Sequence, residues 1–444
     1  MPNSDSKPAN PSNSSSASKS SNSLEKNGIE EPVVANPLAE VTAKVRSRWI
    51  DIAKKRYPDL PAGFGDLVAP QLVSPFTVIL PIQVKEQVER LAHIIHDIRV
   101  KSKYQEMVFR SSSDGRIREI PNFALCNSFD VHLDEEAGIH LIEINTNAAF
   151  YFAGTSLYEA QGLETPFAAN PLAQLVLAAR EEFQLVSKTD QPLRRIAILD
   201  EAPPEQKLYM EFLMAQSYFR EQGLQCEILD AADPDLKRRL DEGWDLIYNR
   251  WTDFLLATPQ AAHLNELYLS RKVALSPHPK EYWLLADKLR LQNFRDPEIL
   301  SDLGVNSEDI GFLQAVIPGT RLMSEEARDE MWANRKNLFF KPAQSYGSKH
   351  AYKGASISRK AFEEYFATPE PMIAQDLWPA LELQTPGGEQ KFKYDLRFYF
   401  YKDQVQMGLA RLYEGQVTNL RAIGGGFTAI AWSEGAAVVK PMLR

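Results

Sequence analysis

Two carboxylates and an amide occupy positions in this sequence that a β-hairpin would bring together. Ser128-Phe-Asp-Val-His-Leu133 and Ile139-His-Leu-Ile-Glu-Ile-Asn-Thr-Asn147 alternate apolar with polar residues, and the polar stretch Asp134-Glu-Glu-Ala-Gly138 joins them. Alternation around a glycine-containing turn predicts two antiparallel strands. Pairing Leu133 with His140 places Asp130 opposite Glu143. The two-residue period then sets Glu143, Asn145 and Asn147 on one face and turns Ile142 and Ile144 toward a core. Carboxylates opposed across a sheet repel one another unless a cation lies between them. Magnesium suits that place, because it takes hard oxygen ligands and is commonly held by one or two carboxylates together with nucleotide phosphates. Without the cation, the same pattern describes an edge strand whose polar face meets water.

The basic residues supply a second chemistry. Asn337-Leu-Phe-Phe-Lys341-Pro342 ends an apolar strand on a lysine, and an unpaired ammonium there would need explaining, so phosphate binding is the favoured role for Lys341. Leu284-Leu-Ala-Asp-Lys288 opens a helix and offers another ammonium, although a lysine is most often a solvated surface charge. Asp395-Leu-Arg397 and Ala410-Arg411 lie on two strands flanking a turn at Lys402-Asp403. A guanidinium is planar and several-pronged, which fits Arg397 and Arg411 to phosphate or acyl-phosphate, while Asp395 is available as an ordinary ion-pair partner. Gly424-Gly-Gly426-Phe427 reads equally as a loop covering phosphate or substrate and as a tight turn. Arg250 ends a strand and could face an acceptor substrate, with a structural ion pair the commoner role. His93 and His96, three apart on a helix, read as surface or core residues rather than ligands.

These residues need a scaffold. Residues 1–36 are dominated by Ser, Asn, Pro and Lys and cannot bury enough apolar area to order themselves, so they read as a disordered tail. Residues 37–190 carry helical periodicity from Val41 to Tyr57 and from Val84 to Val108, followed by the hairpin. Between residues 191 and 275 short strands alternate with helices: Arg195–Asp200, a helix from Glu205 to Gln222 ending at Gly223, then Cys226–Leu229 and Asp245–Tyr248. That alternation predicts parallel strands with right-handed crossovers, a Rossmann-like lobe. It lacks G-x-G-x-x-G after its first strand, which argues against a dinucleotide site. Residues 276–444 alternate strands and helices again, with strands expected at 337–341, 372–375, 396–401 and 404–412.

Composition removes several classes of function. With 50 basic and 59 acidic side chains, a net charge of −9 and no Lys/Arg stripe, nucleic acid is not the expected partner. No uncharged apolar run reaches the roughly 18 residues of a membrane span, and no apolar secretion signal opens the chain. A cytoplasmic location without a membrane partner is expected. The 2 cysteines, Cys126 and Cys226, are too far apart in sequence to suggest a zinc site or a disulfide framework.

Asp130, followed thirteen and fifteen residues later by Glu143 and Asn145, resembles the Asp and Glu-x-Asn metal ligands of ATP-grasp enzymes, most closely in Ile142-Glu-Ile-Asn-Thr146. The resemblance implies an α/β (α+β) ATP-grasp fold with an inserted Rossmann-like lobe, and ATP with magnesium as cofactors. Asp130, Glu143 and Asn145 would hold the metal, and Lys288 and Lys341 would contact the nucleotide phosphates. Gln344-Ser-Tyr-Gly-Ser-Lys349 with Lys353-Gly354 resembles the loop that closes over them. Met372-Ile-Ala-Gln375-Asp376-Leu377 resembles the hinge strand that meets adenine. Metal ligands preceding the lysines resemble the circularly permuted branch, which includes eukaryotic glutathione synthetase and glutathionylspermidine synthase. Ser128 stands where related synthases can have Arg, which leaves Arg397 or Arg411 to neutralise the transferring phosphoryl. The implied activity is ligation of a carboxylate on a small molecule or peptide to an amine or thiol. A kinase would use the same residues, and a non-catalytic nucleotide-binding protein would keep the fold while losing a ligand or a lysine.

Overall fold

The computed structural model describes residues 37–110, 115–344, 351–385, 390–416, 418–435 and 438–441. Three sheets organise them. The largest is 8-stranded and runs in the order Val438–Pro441, Phe76–Pro81, Gly426–Ser433, Gln404–Tyr413, Lys391–Tyr401, Asn127–Leu133, Ile139–Asn145, with Glu382–Gln384 also paired to Lys391–Tyr401. It is antiparallel except where Phe76–Pro81 runs parallel to Gly426–Ser433. The strand Lys391–Tyr401 thus lies between the hairpin Asn127–Asn145 and Gln404–Tyr413, which is what delivers Arg397 and Arg411 to Asp130.

The hairpin forms as its alternation predicts, with one irregularity. Asp130 pairs with Glu143 and Phe129 with Ile144, but His132 pairs with His140 and Leu133 with Ile139. A β-bulge at Ile142 therefore separates the two registers, and the expected Leu133–His140 pair is displaced by one residue. The bulge also changes burial: Leu141 and Ile144 enter the core while Ile142 is only half-buried, not the core residue that strict alternation predicts.

The helix Tyr151–Gln161 follows the hairpin and packs on the large sheet. A Cβ at Gly154 would stand 2.7 Å from Leu409 and 3.0 Å from Met407, so only glycine lets this helix approach so closely. Leu409 is the sheet neighbour of Arg397 and lies on the strand that carries Arg411, so this contact supports that strand. The expected long helix from Val84 breaks into Ile82–Arg99 and Ser102–Val108, and the first helix runs Pro37–Arg56. Gly424 and Gly426 both have positive φ, and a Cβ on Gly426 would strike the Gln71 carbonyl oxygen at 2.6 Å. The triple glycine is therefore a tight turn.

The second sheet is parallel and 4-stranded, in the order Gln225–Asp230, Arg195–Asp200, Leu246–Asn249, Ala274–Ser276. Its first three strands lie where sequence alternation placed them, joined by the helices Tyr209–Glu221 and Leu236–Leu240; the short fourth strand has too few residues to show a period. A separate core of Leu199, Leu229, Ile247, Leu275 and Trp244 fills one side of it. The third sheet is antiparallel, Tyr352–Lys353, Leu338–Pro342, Met372–Asp376, Thr320–Leu322, backed by Phe340, Phe362 and Met331. Among the described residues no helix is long and apolar enough to cross a membrane.

Candidate active site

Sheet register assembles a row of charge. Glu143 is the neighbour of Asp130, Asp130 of Arg397, and two rungs away Asp395 is the neighbour of Arg411. Arg397 grips Asp130 with two parallel bonds, Nε to Oδ1 at 2.8 Å and a terminal nitrogen to Oδ2 at 2.7 Å. Arg411 adds 2.9 Å to the same Oδ2 and donates through Nε to Asp395 at 2.5 Å. Thr418 also donates to Asp395. Asp130 is only 4% exposed. Burial disfavours its charge, yet the two guanidiniums outweigh burial and hold the carboxyl well below the usual carboxylate range. The ion pair of Arg411 with Asp395, one of the two roles open to that arginine from sequence, is present, and the contact of both arginines with Asp130 is an addition.

The bulge at Ile142 connects this row to the small sheet. Lys341 donates from Nζ to the Ile142 carbonyl at 3.0 Å, and Gln375 donates to the same oxygen at 3.3 Å and to Thr320 Oγ1 at 3.3 Å. Gln375 and Lys341 come from adjacent strands, Met372–Asp376 and Leu338–Pro342. Lys341 is 5% exposed, and burial pushes its ammonium down to about 8, with Glu143 opposing and Lys288 reinforcing that shift. Lys288 Nζ stands 3.9 Å from Glu143 Oε2. Asn145 donates to the other oxygen of Glu143 at 3.4 Å. Hairpin acids and lysines that lie far later in the chain thus meet at one place.

Lys288 reaches it from an irregular turn. Tyr282–Ala286 is a single π-helical turn, a local form that often marks functional positions, and Asp287 and Lys288 follow before the short helix Arg290–Asn293. The sequence reading placed Lys288 at the opening of a regular helix; instead its backbone N–H is tied to Ala343 O at 3.1 Å. Beside it, buried Asp287 accepts from Gln344 at 3.0 Å. The expected phosphate-covering loop beyond Gln344, residues 345–349, lies outside the described residues.

The hinge residues are placed differently from one another. Gln375 turns its side chain to the hairpin, whereas Asp376 is exposed with its N–H bonded to Gly319 O at 2.7 Å. The Leu377 N–H is bonded to Asn337 O at 2.8 Å. Just beyond, the Trp378 carbonyl meets His132 Nδ1 at 2.6 Å and its ring stacks on His140 at 3.4 Å. Sequence reasoning missed both histidine contacts; the alternation that puts His132 on the same strand as Asp130 was the available signal. Arg250 is a strut: it donates to Ala148 O at 3.1 Å and Asn147 O at 3.4 Å, and Asn147 returns a bond to the Arg250 carbonyl at 3.1 Å. His93 is exposed beside Asp97 and Asp403.

Charge balance indicates what the site suits. Lys288, Lys341, Arg397 and Arg411 face Asp130, Glu143 and Asp395, with buried Asp287 beside Lys288, so cations and carboxylates are equal in number. The lysines are the groups such a site offers to an anion. Among the described residues no three His, Cys, Asp or Glu side chains form a metal cage. Asp130 and Glu143 supply two carboxylates, and that fits magnesium arriving with a polyphosphate, whose oxygens complete its shell.

A large antiparallel body meeting a small four-stranded sheet, with lysines converging on an acidic hairpin, gives the chain an ATP-grasp fold. Among solved structures, a glutathione synthetase-like effector from Globodera pallida in its apo form matches with a TM-score of 0.51 at 10% identity, covering 89% of this chain and 97% of that one. A protein described as a gamma-glutamylcysteine synthetase from Methylobacillus flagellatus matches with a TM-score of 0.40 at 12% identity, covering 75% and 85%. The ATP-grasp ligase PsnB complexed with minimal precursor gives 0.25 at 14% identity, covering 56% and 92%. No protein-family model matches the sequence, and a search of the curated proteins finds no match.

Proposed function

We propose that this chain is an ATP- and magnesium-dependent ligase that activates a carboxylate as an acyl phosphate and transfers it to an amine or thiol. The observation that carries the reading is the convergence of Lys341 and Lys288 on Glu143 beside the Asp130–Arg397–Arg411 cluster. A substrate carboxylate oxygen attacks the γ-phosphorus as the bond to the β-phosphate oxygen breaks and ADP leaves. The acceptor nitrogen or sulfur then forms its bond to the acyl carbon, gives up its proton, and inorganic phosphate departs. Lys288 and Lys341 would hold the phosphates, and Glu143, Asn145 and Asp130 would hold magnesium, whose chemistry there would be charge neutralisation. Arg411 and Arg397 present positive charge to the developing anion while their own geometry is fixed by Asp130 and Asp395. Gln375, Asp376 and Leu377 would border adenine.

The test is ATP turnover by the full chain over a panel of amino acids and peptides, with and without hydroxylamine. Hydroxamate and ADP in equal amounts support the reading. A phosphorylated hydroxyl product without hydroxamate makes the chain a kinase, and nucleotide binding without ADP formation makes it non-catalytic.

A further inference from the structure

The far end of the metal hairpin carries a second feature that the nucleotide site does not use. Its turn, the strand Glu382–Gln384 and the turn at Glu434 enclose a groove of about 500 Å³. Glu135, Glu136, Glu382 and Glu434 line it and are exposed. Among the described residues none of them has a cationic partner, and no Lys, Arg or His lines the groove. Lys393, the sheet neighbour of Glu382, instead donates to the Gly415 carbonyl at 2.8 Å. Asp134 also lines the groove, but the turn consumes it: one oxygen accepts from the N–H groups of Glu136 and Gly138, and the other meets His140 at 3.0 Å.

Acidic side chains alone would be a solvated surface. The independent observation is Tyr394, which lines the same groove, is 1% exposed, and has a hydroxyl with no hydrogen-bond partner among the described residues. Buried polar groups are nearly always paired, so a ligand group that bonds this hydroxyl would satisfy it. Leu133, Leu381 and Leu383 give the groove apolar walls that fit methylene stems. One ammonium is far smaller than this volume, and the carboxylates come from three separate segments, so the complementary ligand carries several cations. We propose that the groove binds a polypeptide segment with closely spaced basic side chains, whose ammonium groups meet Glu135, Glu136, Glu382 and Glu434 while one bonds the Tyr394 hydroxyl. Leu133 stands three residues from Asp130, an odd number that turns the two side chains to opposite faces of the sheet, so a segment held here lies across the sheet from the nucleotide site. The proposal concerns binding alone and stands whether or not the nucleotide site turns over.

The experiment is fluorescence anisotropy of the full chain with labelled trilysine amide, without nucleotide or magnesium. Binding is expected, weakening as salt rises. Glu382→Gln with Glu434→Gln should weaken it about tenfold by removing two charge pairs, and Tyr394→Phe about fivefold or more by removing a hydrogen bond to a charged group. Unchanged melting curves would confirm that these variants fold. Trilysine failing to bind, or binding equally to the variants, would overturn the proposal. So would labelled triglutamate binding as well as trilysine, or displacement of trilysine by equimolar 1,5-diaminopentane, which would make the groove a site for free amines.

Discussion

Asp130→Asn tests whether the charged row is a structural cluster as well as a nucleotide site. Asparagine keeps the shape of aspartate but places a neutral amide against two guanidiniums whose side chains are 11% and 13% exposed. Removing one partner of a buried ion pair generally costs about 3–5 kcal/mol, because the remaining charge stays buried without compensation. Arg411 keeps Asp395, whereas Asp130 is the acid gripping Arg397, so the lower end, about 3 kcal/mol, is expected. The measurement is urea unfolding of wild type and variant at neutral pH in EDTA without nucleotide, so that lost metal binding cannot contribute. Pairing the variant with Arg397→Met closes a double-mutant cycle, and a coupling of about 2 kcal/mol is expected for groups in direct contact. The pH dependence follows from the depressed carboxyl. The contribution of Asp130 is complete above its unfolded-state value of about 3.9 and is lost as pH falls below that. Wild type and variant should therefore converge in acid. An unchanged midpoint for Asp130→Asn, or strict additivity in the cycle, would refute the reasoning.

Three further outcomes follow from the same geometry. Lys341 titrates near 8 because burial disfavours its ammonium, so it is charged below that pH and neutral above it; Mg-ATP affinity measured by calorimetry should fall as pH rises through about 8, and Lys341→Met should remove that dependence. Glu143 has a side chain 29% exposed and stands at the rim of the cluster, so Glu143→Gln should shift unfolding by no more than about 0.5 kcal/mol while lowering ATP turnover about 100-fold or more. Gly154→Val forces a side chain into Leu409 and Met407 and should cost about 1–3 kcal/mol in urea unfolding, with strain reaching the strand that carries Arg411.

What the sequence made legible was local. Alternation counted from an assumed Leu133–His140 pair opposed Asp130 to Glu143; the structure moves that first pair by one residue, and the bulge at Ile142 restores the second. Apolar context was enough to single out Lys341 as buried. The same reasoning could not find the bulge, because an extra isoleucine leaves the apolar composition of a strand unchanged. It could not pair Asp130 with Arg397 either, since that contact depends on Lys391–Tyr401 lying beside Asn127–Leu133 across more than half the chain. The π-helical turn before Lys288 escaped for a different reason: Leu284, Leu285 and Ala286 all favour an ordinary helix, and tertiary packing overrides that preference.

The bulge explains why the two sheets meet where they do. In a regular ladder each carbonyl of the hairpin bonds the partner strand or points to solvent, but an extra residue on one strand leaves its peptide outside the register. A buried carbonyl without a donor costs about 1–3 kcal/mol, and Ile142 is a half-buried residue. Lys341 and Gln375 both satisfy its carbonyl, from neighbouring strands of the small sheet. Docking of that sheet and placement of the Lys341 ammonium beside Glu143 are therefore one interaction. The redundancy matters for an anion entering the site. If a phosphate oxygen draws Lys341 away from Ile142, Gln375 still holds the carbonyl, so the ammonium can change partners without leaving a buried acceptor unpaired.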